Sequence, residues 1–291
     1  MFALAHEAGF PDGVVNLIYA SEGGAIGQEL CANPKVRKIS FTGSTEVRRL
    51  LMRQCSDQIK KLSLELGGNA PFIVFDDADV DAAVDGAIQA KFRGQTCVSA
   101  NRLYVQAGVH DAFVTKFVEK VRQLSVGDGF SPDVAISPLI DRQALAKTES
   151  HIADAVAKGS AIRCGGARMG REGTFFQPTV LTEVTSEMAV AQEETFGPLA
   201  PVISFLDPDQ VVREANDTIY GLAAYFYASN LKRVWQVAEA LEYGMVGINT
   251  GRMSSEAAPF SGIKQSGIGR EGSRHGLEDY LEMKYLCIAM I

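Results

Sequence analysis

The chain has 291 residues, 46% hydrophobic, 22% charged and 8% aromatic; that length suits one large domain or two ordinary ones, and that composition excludes disorder as the main state. The 28 basic and 35 acidic residues leave a net charge of −7, which provides no basic surface for non-specific nucleic-acid binding. No apolar run approaches the roughly 18–20 residues of a membrane span, and the N-terminus lacks a basic-then-apolar leader.

In chain order, β-rich runs and amphipathic stretches alternate. A strand is expected over 14–19, a helix over 23–33 and a strand over 37–42. The next helix, 45–56, has Ser44 as its N-cap. A strand over 70–75 is followed by the acidic cluster Asp76, Asp77 and Asp79, which suits the start of a helix over 80–92. Strands over 101–106, 202–205, 223–228 and 245–249 are interleaved with helices over 110–124, 141–158, 208–216 and 231–241. Strands separated by helices favour parallel pairing, because a crossover needs a dozen or more residues. Gly67 and Gly68 interrupt the rhythm, and a change of domain is read there. The last segment, 280–291, reads as an apolar strand carrying Tyr285, Leu286, Ile288 and Ile291. It pairs either with a sheet in another subunit or within its own chain.

Chemistry is sought where turns expose polar groups. Phe41-Thr42-Gly43-Ser44-Thr45 runs from strand through glycine into helix. This is the arrangement that offers backbone N–H groups to phosphate, or else an ordinary βα turn, since GxGxxG is incomplete. Of the five cysteines, Cys31, Cys55, Cys164 and Cys287 lie in helical or strand-like surroundings, while Cys97 sits in the polar turn Gly94-Gln95-Thr96-Cys97. It is either a nucleophile or an inert small hydrophobe. The odd, scattered set fits a reducing cytoplasmic compartment better than a disulfide framework. In Ser63-Leu64-Glu65-Leu66-Gly67-Gly68, a carboxylate lies between leucines; partial burial makes it a general base, and exposure makes it an ordinary surface group. Glu193-Glu194-Thr195-Phe196-Gly197-Pro198 is a fourth candidate, for holding a sugar hydroxyl. His6, His110, His151 and His275 form no ligand spacing, so no metal is expected.

These motifs, with Ile39-Ser40 before the first, Asn69-Ala70-Pro71 after the glycine pair, and Pro259-Phe260-Ser261-Gly262, resemble the aldehyde dehydrogenase superfamily over essentially the whole chain. The tail Ser266-Gly267-Ile268-Gly269-Arg270-Glu271-Gly272-Ser273 and the tripeptide Lys91-Phe92-Arg93 are similar to its succinate-semialdehyde dehydrogenase branch. The resemblance implies an α/β fold: a partial Rossmann-like cofactor domain (1–66), an α/β catalytic domain with a mostly parallel sheet (67–266), and a return segment ending in an oligomerisation strand (267–291). It implies Cys97 as nucleophile, its backbone N–H as half of an oxyanion hole, and Glu65 as the base that activates water. Gly43, Ser44, Leu66, Glu194 and Phe196 are implied to hold NAD or NADP. Arg93 and Ser254 are implied to bind the distal carboxylate of a small aldehyde. A homo-oligomer is implied as well.

The sequence also departs from that pattern. The superfamily's N-terminal portion is not represented, so the leading expectation is an NAD(P)-dependent dehydrogenase chain oxidising succinate semialdehyde that lacks this portion and can be inactive as it stands; the alternative is a non-catalytic remnant serving as an assembly partner. A third is cofactor-independent ester hydrolysis by Cys97 and Glu65. Arg48 stands where the phosphate turn usually ends in glycine and is expected to crowd a pyrophosphate. The stretch before Gly94 is two residues short, worth about 200° and 3 Å if helical. Ser261 replaces a glycine, and Ser99 replaces a second cysteine found in some members.

Overall fold

The computed structural model describes residues 1–93, 95–170 and 172–289. Gly94 of the cysteine turn and Ile291 of the tail lie outside the described residues.

Two helices open the chain, α1 (Phe2–Glu7) and α2 (Gly24–Ala32). Then β1 (Lys38–Gly43), α3 (Thr45–Cys55) and β2 (Lys61–Leu66) form a βαβ unit whose strands pair in parallel. The expected strand over 14–19 is absent; Leu17, Ile18 and Tyr19 are exposed there, because an apolar run becomes a strand only where a sheet edge can take its hydrogen bonds.

A second, seven-stranded sheet begins directly after the glycine pair. Its elements in chain order are β3 (Ala70–Val74), α4 (Val80–Lys91), β4 (Ala100–Gln106), α5 (Ala107–Arg122), α6 (Arg142–Ala157), β5 (Ala161–Cys164), β6 (Thr179–Thr182), α7 (Ala189–Gln192), β7 (Leu199–Phe205), α8 (Pro208–Asn216), β8 (Ala223–Tyr227), α9 (Leu231–Ala240) and β9 (Met245–Ile248). The strand order is β5-β6-β7-β4-β3-β8-β9, parallel throughout except for β5 against β6. Alternate residues of each central strand feed two cores. Phe72, Val74, Leu103, Val105 and Tyr225 pack under α4 and α5. Ile73, Phe75, Tyr104 and Phe226 pack under α6, α8 and α9. This period of two, buried on both faces, is what a parallel sheet covered by helices requires.

The chain then returns. β10 (Gly267–Ile268) pairs antiparallel with β2, making the order β1-β2-β10, and α10 (His275–Glu278) follows. Beyond it, the expected strand over 280–291 is not formed among the described residues. Tyr285, Leu286 and Ile288 are exposed and take part in no strand pair. The tail is tethered near its start by Lys61–Glu282 at 2.7 Å and by Lys38 over the Tyr280 ring at 4.5 Å.

Candidate active site

The small sheet supplies one side of the site. Thr42 faces Glu65 across the β1–β2 pair, and Gly43 faces Leu66. Ser44 caps α3 by accepting from the Val47 N–H at 3.4 Å, so the strand turns into a helix within one residue of Gly43. Glu65 is buried because β2 is the central strand, with β10 Gly267 on its other side. Both of its carboxylate oxygens lack a hydrogen-bond partner. Burial, and then the Glu271 carboxylate, push Glu65 up to about 8, against an opposing pull from Arg270. The polar burial expected for a general base is therefore present, and the outer-face reading does not hold.

Gly67, Gly68 and Asn69 link β2 of the small sheet to β3 of the large one. The Gly68 N–H donates to Glu194 Oε1 at 2.9 Å, and Gly67 O accepts from Ser266 Oγ at 2.7 Å. A Cβ at Gly67 would overlap the Glu194 carboxylate and push it aside. Burial raises the Glu194 carboxyl, while the Gly68 N–H, Lys147 and Lys91 pull it back.

The cysteine turn joins α4 to β4. Gln95 anchors it, donating to Phe196 O at 3.1 Å and accepting from the Ile140 N–H at 2.9 Å. Cys97 is half-buried. Burial, followed by the Glu194 carboxylate, raises its thiol; the Cys97 and Val98 N–H groups oppose this, and Glu65 adds to it. The thiol, Glu65 and Glu194 thus share one electrostatic environment.

All three line a pocket of about 590 Å³. Thr42, Gly43, Ser44, Leu66 and Gly67 enter it from the small sheet, Phe196 from the loop after α7, and Ser254, Phe260 and Glu271 from the returning segment. Of the residues singled out in the sequence, Cys97, Glu65, Gly43, Ser44, Leu66, Glu194, Phe196 and Ser254 are brought together. Arg93 is not: it is exposed just beyond the α4 cap Phe92 and lies outside the lining. Its charge still reaches Tyr225, which also feels Cys97. Arg48, too, is absent from the lining. It is buried with Leu51 and Cys55 on α3, where its Nε reaches Met52 Sδ at 3.4 Å, so it does not crowd the pocket. Ser261 is buried and donates to Gly269 O at 2.6 Å. Ser99 donates to Lys91 O at 3.3 Å. Sequence reasoning assigned no role to Glu271 or Lys91; the only signal was their place in the resembling tail and tripeptide.

A parallel α/β core thus stands beside a pocket in which a thiol, two carboxylates and two strand-to-glycine turns meet. The aldehyde dehydrogenase family model matches residues 1–286, and the chain belongs to that family. It is 78% identical over 290 residues to a probable succinate-semialdehyde dehydrogenase (NADP(+)) of Sinorhizobium fredii (strain NBRC 101917 / NGR234), covering 99% of this chain and 59% of the relative. It is 61% identical to the succinate-semialdehyde dehydrogenase (NADP(+)) GabD of Escherichia coli (strain K12), covering 99% and 60%. The solved structure of an E. coli NADP-dependent enzyme superposes with a TM-score of 0.97 at 59% identity, covering 99% of this chain and 60% of that one. The chain thus spans about 60% of the length of the relatives it matches.

Proposed function

We propose that this chain carries the thiol chemistry of an NAD(P)-dependent aldehyde dehydrogenase, acting on a small aldehyde with a distal carboxylate. The observation that carries the reading is the opening of Cys97 and Glu65 into one pocket with Gly43, Ser44, Leu66, Glu194 and Phe196. The residues fit a nicotinamide dinucleotide: Gly43 and Ser44, at the start of α3, open into the same pocket as Glu194 and Phe196, and the Glu65 oxygens are unpartnered. Gly43 and Ser44 at the start of α3 would take the pyrophosphate, while Glu194 and Phe196 would take the nicotinamide ribose. When bound, the cofactor supplies the hydride acceptor.

Cys97 Sγ attacks the aldehyde carbon, and its proton passes to Glu65 through water. The developing oxyanion is held by the Cys97 backbone N–H. Glu65 passes that proton to solvent; after oxidation to the thioester it takes a proton from the water that attacks the acyl carbon, the C–S bond breaks, and Glu65 returns the proton to the departing sulfur, so that thiol and carboxylate are both restored. Ser254 at the pocket is assigned to the distal carboxylate; Arg93, exposed and outside the lining, is not. The names of the two relatives make succinate semialdehyde and NADP the first substrate and cofactor to try.

The exposed Tyr285, Leu286 and Ile288 favour a second reading, in which the chain assembles with copies of itself or acts only as an assembly partner. Aldehyde-dependent cofactor reduction by the purified chain, abolished in Cys97→Ala, supports the enzymatic reading. Absence of cofactor binding at millimolar concentration removes the dehydrogenase reading. Ester hydrolysis without cofactor, lost in Cys97→Ala, would show the thiol–carboxylate pair working alone.

A further inference from the structure

We propose that Lys91 is a positioning residue that fixes Glu194 on the Gly67–Gly68 turn through Asn101. The proposal rests on the reading of Glu194 as a cofactor-holding group.

Lys91 ends α4 and is 2% exposed, an uncommon place for an ammonium. It does not line the catalytic pocket. Its Nζ donates to Asn101 Oδ1 at 3.0 Å. Asn101 is itself placed by an irregularity in the sheet: Ala70 pairs with Ala100, but Pro71 pairs with Arg102, so Asn101 is the extra residue of a bulge. A bulge re-aims a side chain beside a functional site. Asn101 Nδ2 donates to Gly68 O at 3.1 Å, and the Gly68 N–H donates to Glu194 Oε1 at 2.9 Å. Lys91, Asn101, Gly68 and Glu194 therefore form an unbroken chain from a buried cation to the pocket carboxylate.

The two ends are coupled by charge. Burial lowers Lys91 to about 7, and the Glu194 carboxylate opposes this; Lys91 in turn helps to hold Glu194 ionised. Glu194 also faces Lys147, Cys97 and Tyr220. Reciprocity follows: whatever Lys91 does to the ionisation of Glu194, Glu194 does equally to that of Lys91.

The test uses the full chain with isotope-labelled lysine and glutamate, titrated by NMR without cofactor. In Glu194→Gln the Lys91 midpoint should fall by roughly one pH unit. In Lys91→Met the Glu194 midpoint should rise, and in Lys91→Arg it should return towards the parent. An unchanged Lys91 midpoint in Glu194→Gln overturns the proposal. That arm decides even if Lys91→Met does not fold, since Glu194 lies at the pocket rather than in a core. Fluorescence titration with NADPH should show about fivefold or greater weakening in Lys91→Met, with recovery in Lys91→Arg. Equal binding by Lys91→Met and the parent chain counts against the positioning role. If no variant binds NADPH, the parent chain included, the cofactor reading fails while the NMR arm still decides the coupling.

Discussion

A carboxylate with both oxygens unpaired inside a central strand resists ionisation, and at Glu65 that resistance sets two observable quantities. Because Glu65 sits at about 8, its basic form appears as pH rises through that value. Thioester hydrolysis should therefore climb with pH up to about 8 and then level off, and Glu65→Gln should lower it by about 10²–10⁴; single-turnover kinetics with an activated ester would read both effects. The stability effect has the opposite sign. Between the ordinary carboxylate range and pH 8 the folded state holds a proton that the unfolded state has lost, so folding stability from this group falls as pH rises across that window. Glu65→Gln should be more stable than the parent above the window by about 2 kcal/mol, after allowance for screening, in urea denaturation at matched pH. At Gly67, alanine would displace the Glu194 carboxylate and break its bond to Gly68. Cofactor binding should weaken by about tenfold, as read by fluorescence titration, with little change in melting. Glu65 and Cys97 were legible because their neighbours are unusual for their types: leucines around a carboxylate, and a polar turn around a thiol. Lys91 was not, because nothing local says that an ammonium at a helix end is enclosed by a sheet bulge.

Among the elements, helices were the more readable. Asp79 was placed at a helix start from the acidic cluster, and it accepts from the N–H groups of Asp81 at 3.0 Å and Ala82 at 3.1 Å. Asp79→Ala should cost about 1 kcal/mol in urea unfolding. The runs over 14–19 and 280–291 have strand-like composition and no pairing, whereas Ala161–Cys164 and Thr179–Thr182 pair and were not foreseen. A helix satisfies its own backbone, so caps and period are local signals. A strand depends on a neighbour that may lie anywhere in the chain.

For the whole molecule, the glycine interruption marks where the chain leaves one sheet for the other. The tail beyond α10 exposes Tyr285, Leu286 and Ile288, and clustered exposed apolar side chains mark association surfaces. Removing residues 280–291 should lower the mass seen by light scattering if the chain assembles through it, and an unchanged mass would assign assembly to another surface. The two sheets also differ greatly in what holds them. The three-stranded one rests on the small cluster of Cys31, Leu51 and Cys55, whereas the seven-stranded one is sandwiched between two extensive cores. On gentle denaturation, amide protons of Lys38–Gly43 and Lys61–Leu66 should exchange with solvent well before those of Ala70–Val74 and Ala100–Gln106. The molecule would then lose Glu65, Gly43 and Ser44 from the pocket while its sulfur still stood on intact scaffolding, a half-melted state with a nucleophile and nothing left to serve it.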